Sequence, residues 1–293
     1  MNRLLLSATA AAVLLSPLAC DIQKTGSQLL AEKVMVGTLF STPDVAVSTA
    51  ALAGFDAGTL PDGGIPEEER LSIPGQTATL VFFGTRGGDD TSPQPLTDAT
   101  IHLEANGLTV PLENKGAGTY GLASAPSDDA GVRYQSGATY RFVATQQGTT
   151  YVGLVEDAPA LEKIDVLHPT GGFVRHTALQ PLTLRRTTAV PAGKERTLGF
   201  VSVFALRATG ERGETTYTNL PTDPLSLLKI AAAPGEWQQP TLEVPGTAFP
   251  APDSNYLVVF QTTRSGGADS DNLFYGSTLL VGTADVGLVH TAR

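Results

Sequence analysis

The sequence predicts an all-β protein, arranged as two β-sandwich domains after a leader and an N-terminal tether. Three observations carry this reading. Glycine and proline are abundant, 31 and 20 of 293 residues, which favours many short elements joined by turns. Short runs rich in Val, Ile, Thr, Tyr and Phe recur along the chain, several with apolar and polar residues alternating at the period of two that a half-buried strand requires. Turn dipeptides such as Asn106-Gly107 and Gln147-Gly148 stand between these runs.

The elements follow in order. Residues 1–19 read as a signal peptide, and 20–75 as a tether, a first strand and an acidic Gly/Pro-rich linker. Within that stretch Gln23 to Glu32 is polar and suits a short helix or a plain tether, and Lys33 to Phe40 reads as the first strand. Ser41 to Gly75, with Leu60-Pro61-Asp62-Gly63-Gly64-Ile65-Pro66 and Glu67-Glu68-Glu69, reads as a long surface loop. The first sandwich is expected over 76–160. Its strands include Thr77–Phe83, ending at Gly84, and a hairpin over 100–112 turned by Asn106-Gly107, a pair that accepts the positive φ of a type I′ turn. Pro111 places the returning strand at an edge, because proline has no N–H to donate to a ladder. A second hairpin spans 139–155 about Gln147-Gly148.

The second sandwich is expected over 161–293, with strands at 182–184, 198–206, 215–217, 241–244, 256–260 and 279–281. Gly210-Glu211-Arg212-Gly213 and Ser265-Gly266-Gly267 read as turns between them, and Leu225 to Ala231 as one short helix. Val36-Gly37-Thr38 echoes Val281-Gly282-Thr283, hinting that the first strand pairs with the last part of the chain.

Tyr134 to Phe142, with Gly137 in a turn before Tyr140, is similar to the tyrosine-corner segment of fibronectin type III and immunoglobulin-like sandwiches. The resemblance implies that the Tyr140 hydroxyl ties back to upstream backbone. Ser136 stands where the family usually has Pro, and the Cys and Trp of a true immunoglobulin domain are missing, so the likeness concerns architecture alone.

Met1-Asn2-Arg3 gives a short positive start, and Leu4 to Leu15 is an apolar run of signal-peptide length, too short for a bilayer span. Ser16-Pro17-Leu18-Ala19-Cys20 then resembles the lipobox of bacterial lipoproteins, with Pro17 where the family usually carries Leu. The resemblance implies cleavage before Cys20, acylation of its thiol with palmitate-like chains, and a chain anchored to a membrane of the cell envelope, facing the periplasm or the cell surface. Cys20 is the one cysteine, so the fold has no disulfide to draw on.

The formal net charge of −10 makes binding to nucleic acid or to anionic lipid heads a poor expectation, so membrane attachment should come from the lipid. No cofactor is expected. His102, His168, His176 and His290 lie far apart and match no metal-ligand spacing, and no G-x-S-x-G elbow is present. Calcium is the one metal with candidate ligands, Asp269, Asp271 and Asn272, which offer three oxygen side chains within one turn. Asp89-Asp90 and Asp128-Asp129 are lesser candidates. Trp237, Phe274 and Tyr275 are candidate binding residues, since exposed aromatics can stack on sugar rings. These features favour a non-enzymatic envelope lipoprotein serving in structure, adhesion or protein-partner binding; the alternative is a carbohydrate-binding or carbohydrate-active envelope protein.

Overall fold

The computed structural model describes residues 24–48, 70–87, 92–125, 131–170, 172–187, 197–207, 211–221 and 223–292. The signal-peptide and Cys20 readings lie outside these residues, as do the runs at 60–66, 67–69, 89–90 and 128–129.

In chain order, helix α1 (24–30) leads to β1 (Lys33–Thr42), β2 (Val45–Ser48), β3 (Arg70–Ile73), β4 (Gln76–Thr85) and β5 (Gln94–Pro95). Next come β6 (Thr100–Ala105), β7 (Leu108–Gly116), β8 (Thr119–Ser124), β9 (Tyr140–Gln146) and β10 (Thr149–Val155). The remainder forms β11 (Val174–Thr177), β12 (Leu182–Arg185), β13 (Leu198–Leu206), β14 (Arg212–Thr218), helix α2 (Pro224–Ala232), β15 (Thr241–Val244), β16 (Ser254–Ala268) and β17 (Thr278–Ala292). The fold is all-β, as the alternating runs predict.

Two apolar cores are built on one long hairpin. Around the first, β17, β1, β4, β8, β7, β6, β9, β10 and β16 follow one another through backbone hydrogen bonds, and β16 pairs with β17, so the path closes. Its interior is filled by side chains such as Phe83, Tyr120, Tyr140, Phe142, Leu273 and Leu279. The alternation in β4 shows the cause: Thr77, Thr79, Val81 and Phe83 are buried while Gln76, Ala78 and Leu80 face outward. The second core lies between the sheet β11-β17-β16-β13-β14 and the β12–β15 pair, and contains Val201, Val203, Leu242, Phe249, Tyr256 and Phe260. The opposite face of β16 carries Leu257 and Val259, so Tyr256 to Phe260 is apolar throughout because both sides of that strand are covered.

The local readings hold in most places. Asn106 and Gly107 take φ of 52° and 77°, and Gln147 and Gly148 of 50° and 78°, closing the two expected hairpins. The Val36/Val281 echo corresponds to real pairing: β1 runs parallel to β17 with Leu39 opposite Val281, and antiparallel to β4 on its other side. Asp223 caps α2, its carboxylate accepting from the Ser226 N–H at 2.8 Å with Pro224 at the first helical position.

Three expectations need correction. The stretch 41–75 is not loop throughout: β2 and β3 pair antiparallel, with Val45 opposite Ile73. These two residues pack on Phe204, Leu257, Val259 and Leu288, the outer face of the second sheet, which would otherwise present large apolar groups to water. Ser265-Gly266-Gly267 is not a turn but part of β16. A Cβ on Gly266 would stand 1.9 Å from the Leu154 carbonyl oxygen, so glycine there permits β10 and β16 to meet. Finally, β7 is an internal strand, between β6 and β8. Pro111 is tolerated because it pairs with His102 of β6, whereas pairing with β8 begins only at Glu113.

Candidate functional site

The expected calcium and aromatic residues between Asp269 and Tyr275 fall in the loop joining β16 to β17, at the end of the first core farthest from the second. Helix α1 docks onto this loop. The buried Gln28 side chain donates to the carbonyls of Ala268 and Ser270, each at 3.2 Å, and the Gln28 carbonyl accepts from the Tyr275 N–H at 3.0 Å. The Phe274 N–H donates to the Lys33 carbonyl at 2.7 Å. Just past the end of β4, the Arg86 guanidinium donates to the Leu29 carbonyl at 3.0 Å and lies over the Phe274 ring, 4.6 Å from its centroid. Segments far apart in sequence thus meet in one small face.

Asp269, Ser270 and Asn272 of the loop are engaged within the protein, while Asp271 is exposed. Lys24 Nζ stands 3.2 Å from the Asp269 carboxylate, and the Ser270 hydroxyl oxygen accepts from the Val152 N–H at 3.0 Å. The Asn272 amide donates to the Thr150 carbonyl at 2.9 Å, which pins the loop to the rim of β10. No group of three His, Cys, Asp or Glu able to hold a metal ion occurs among the described residues. Beside this face, a polar groove of about 430 Å³ runs where β10 and β16 diverge, lined by Leu154, Glu156, Asp157, Arg264 and Asp269. Arg264 reaches across to the Asp157 carboxylate at 3.2 Å.

The three aromatic candidates do not share one platform. Trp237 is half-buried against Phe200 with ring centroids 6.1 Å apart, and its indole N–H donates to the Asn219 carbonyl at 3.3 Å. It belongs to the cluster beneath α2, with Leu227 and Ile230. Phe274 is paired with Arg86, and Tyr275 alone of the three is well exposed, at 59%.

The histidines serve separate contacts. His168 Nε2 is 2.7 Å from the buried Asp285 carboxylate, which also accepts from the Ile164 N–H at 2.8 Å. His176 bonds the Gln180 carbonyl and stands edge-on to Phe249, so the 169–172 loop does not gather the two imidazoles on a shared ligand. His102 meets Glu104, which also holds Arg141, and His290 meets Asn255. The most deeply buried ion pair, Glu162 with Arg186, is likewise saturated: Arg186 donates to both Glu162 oxygens, at 3.1 and 2.6 Å, and to the Thr197 carbonyl at 2.7 Å.

Sequence reasoning missed Gln28, Leu29, Leu30 and Arg86 as parts of the loop face. The available signal was the Leu29-Leu30 pair, two bulky apolar residues inside an otherwise polar tether. Among the described residues no helix is long and apolar enough to cross a membrane.

No family model and no curated protein matches the chain. Among solved structures, the FN1–FN3 domains of chicken CNTN1 align over 86% of this chain and 96% of that one, with 11% identity and a TM-score of 0.20, a superposition too loose to carry an argument about fold or function.

Proposed function

We propose that the chain is a lipid-anchored protein of the bacterial cell envelope, held to a membrane through acylated Cys20, whose all-β body acts as a non-enzymatic structural or partner-binding module. One observation carries this reading: the one cysteine of 293 residues stands directly after Ala19, at the end of an apolar leader. The manner in which the body begins supports it. Four positions after Cys20, α1 is already fastened to the β16–β17 loop, so little free chain separates the thiol from a packed domain. The polar groups buried within the body, such as Glu162, Arg186 and Asp285, are occupied in tying connecting segments to one another and to the strands, which suits a scaffold more than a catalyst. Metabolic labelling with a fatty-acid analogue tests the anchor. Label should enter the wild-type chain and be lost from Cys20→Ser, whereas equal labelling of both overturns the reading.

A further inference from the structure

We infer that the face formed by Leu29, Leu30, Phe274 and Tyr275 lies on the bilayer surface, and that the β16–β17 hairpin stands away from it, presenting the second core outward; this rests on the acylation of Cys20 proposed above. Eight large apolar residues are strongly exposed among the described residues, and three of them, Leu29, Leu30 and Tyr275, gather here. Leu30 is 84% exposed, the highest of the eight. Hydrogen bonds bring the segments of this group together, since the Tyr275 N–H is bonded to the Gln28 carbonyl and Arg86 joins the Leu29 carbonyl to the Phe274 ring, with Leu30 the next residue of the helix. Packing among the described residues does not cover it, and an exposed apolar group of this kind is favourable when a partner surface covers it.

The length of the connection identifies the occupant. Cys20 and Lys24 are four residues apart, and a chain spans at most about 3.5 Å per residue, so the backbone of Lys24 lies within about 14 Å of that of the acylated Cys20. Leu29 and Leu30 lie within the next two turns, about 9 Å further along the helix axis. With the acyl chains in the membrane and α1 docked on Ala268, Ser270 and Tyr275, this face is held within about 23 Å of the anchor, close enough to reach the interfacial layer. The surrounding charges also suit contact with lipid heads: Lys24, Lys33 and Arg86 offset Glu32, Asp269 and Asp271, in a chain whose overall charge is −10. Leucine and tyrosine at such depth match the way interfacial segments bury an apolar side to about 5–10 Å while a hydroxyl stays at head-group level.

The hairpin then sets the orientation. Residue 278 lies at the anchored end, and the strand runs about 48 Å to residue 292, at roughly 3.4 Å per residue. There Thr177 pairs with Ala292, and Leu179, 61% exposed, marks the far tip.

Acylation consumes the Cys20 thiol, so Leu30→Cys or Leu179→Cys gives the full-length chain one reactive sulfur for an environment-sensitive fluorophore. On phosphatidylcholine vesicles whose acyl chains carry a quencher, the probe at 30 should shift to the blue and be quenched at least about threefold more than the probe at 179, as insertion to interfacial depth requires. Adding Leu29→Ser to a chain probed at Tyr275→Cys should lower the quenching there without reducing flotation. Equal behaviour at 30 and 179, in chains that float with the vesicles, overturns the orientation and leaves the anchor standing. A blue shift at 30 that depends on protein concentration and ignores the quencher identifies a second copy as the occupant and also overturns it. Chains that fail to float overturn both.

Discussion

Tyr140 shows how much one side chain can organise. Its hydroxyl donates to the Arg133 carbonyl at 3.2 Å and accepts from the Gln135 N–H at 2.7 Å, while its buried ring stacks on Tyr134. Burial raises the phenol's pKa above its ordinary value, so it stays a neutral donor throughout the physiological range. Tyr140→Phe keeps the ring and leaves the part-buried Arg133 carbonyl and Gln135 N–H without their partner, and should cost about 1 kcal/mol in urea unfolding. The resemblance of residues 134–142 to a tyrosine-corner segment anticipated this corner. A counterpart in the second core was not anticipated. The Tyr256 hydroxyl donates to the Ala251 carbonyl at 3.3 Å and accepts from its N–H at 3.0 Å. That corner has no glycine to announce it, because Asp253 adopts the left-handed φ of 52°.

At the scale of elements, α2 offers a clean test of local energetics. The Ser226 N–H donated to Asp223 lowers that carboxyl's pKa, since the bond favours the charged form. A depressed folded pKa means that the cap contributes above the unfolded carboxyl's value and loses its contribution as pH falls through the folded value. Asp223→Ala should therefore destabilise the chain by about 1 kcal/mol at neutral pH, with Asp223→Asn closer to wild type. In acid the gap between wild type and Asp223→Ala should narrow, which denaturant titrations at the two pH values would show. Helix and hairpins were legible because the run from Leu225 to Ala231 and the Asn106-Gly107 pair act within a few residues of themselves. Ser265-Gly266-Gly267 misled for the opposite reason: its glycines answer to a strand more than a hundred residues away, at Leu154, and nothing local distinguishes that need from a turn.

For the whole molecule, the shared hairpin is the governing feature. β16 and β17 contribute Leu279 and Val281 to the first core and Tyr256, Val258, Phe260 and Val289 to the second. Neither core can lose its strands without disturbing the other. The two should unfold in one cooperative step, so Trp237 fluorescence, far-ultraviolet dichroism and calorimetry should report coincident transitions. Two separated transitions would show that the hairpin does not couple them. The same hairpin fixes which end of the body lies beside residue 24 and which end is carried away from it, and hence the geometry of any contact made at the envelope.

By itself the sequence determined the all-β class, the hairpin turns, the short helix after Pro224, one tyrosine corner and the expectation of a lipid at Cys20, because each depends on dihedral preferences, side-chain alternation or a motif contained in one short stretch. Tertiary structure alone decided the register and direction of the first strand against β17, where the sequence offered only a three-residue echo, that β2 and β3 cover a second apolar face, and that the segments of Leu29, Leu30, Phe274 and Tyr275 meet at one end. Those outcomes come from backbone ladders and buried surfaces joining residues up to about 250 positions apart, and pairing at such separations leaves almost no trace in local patterning.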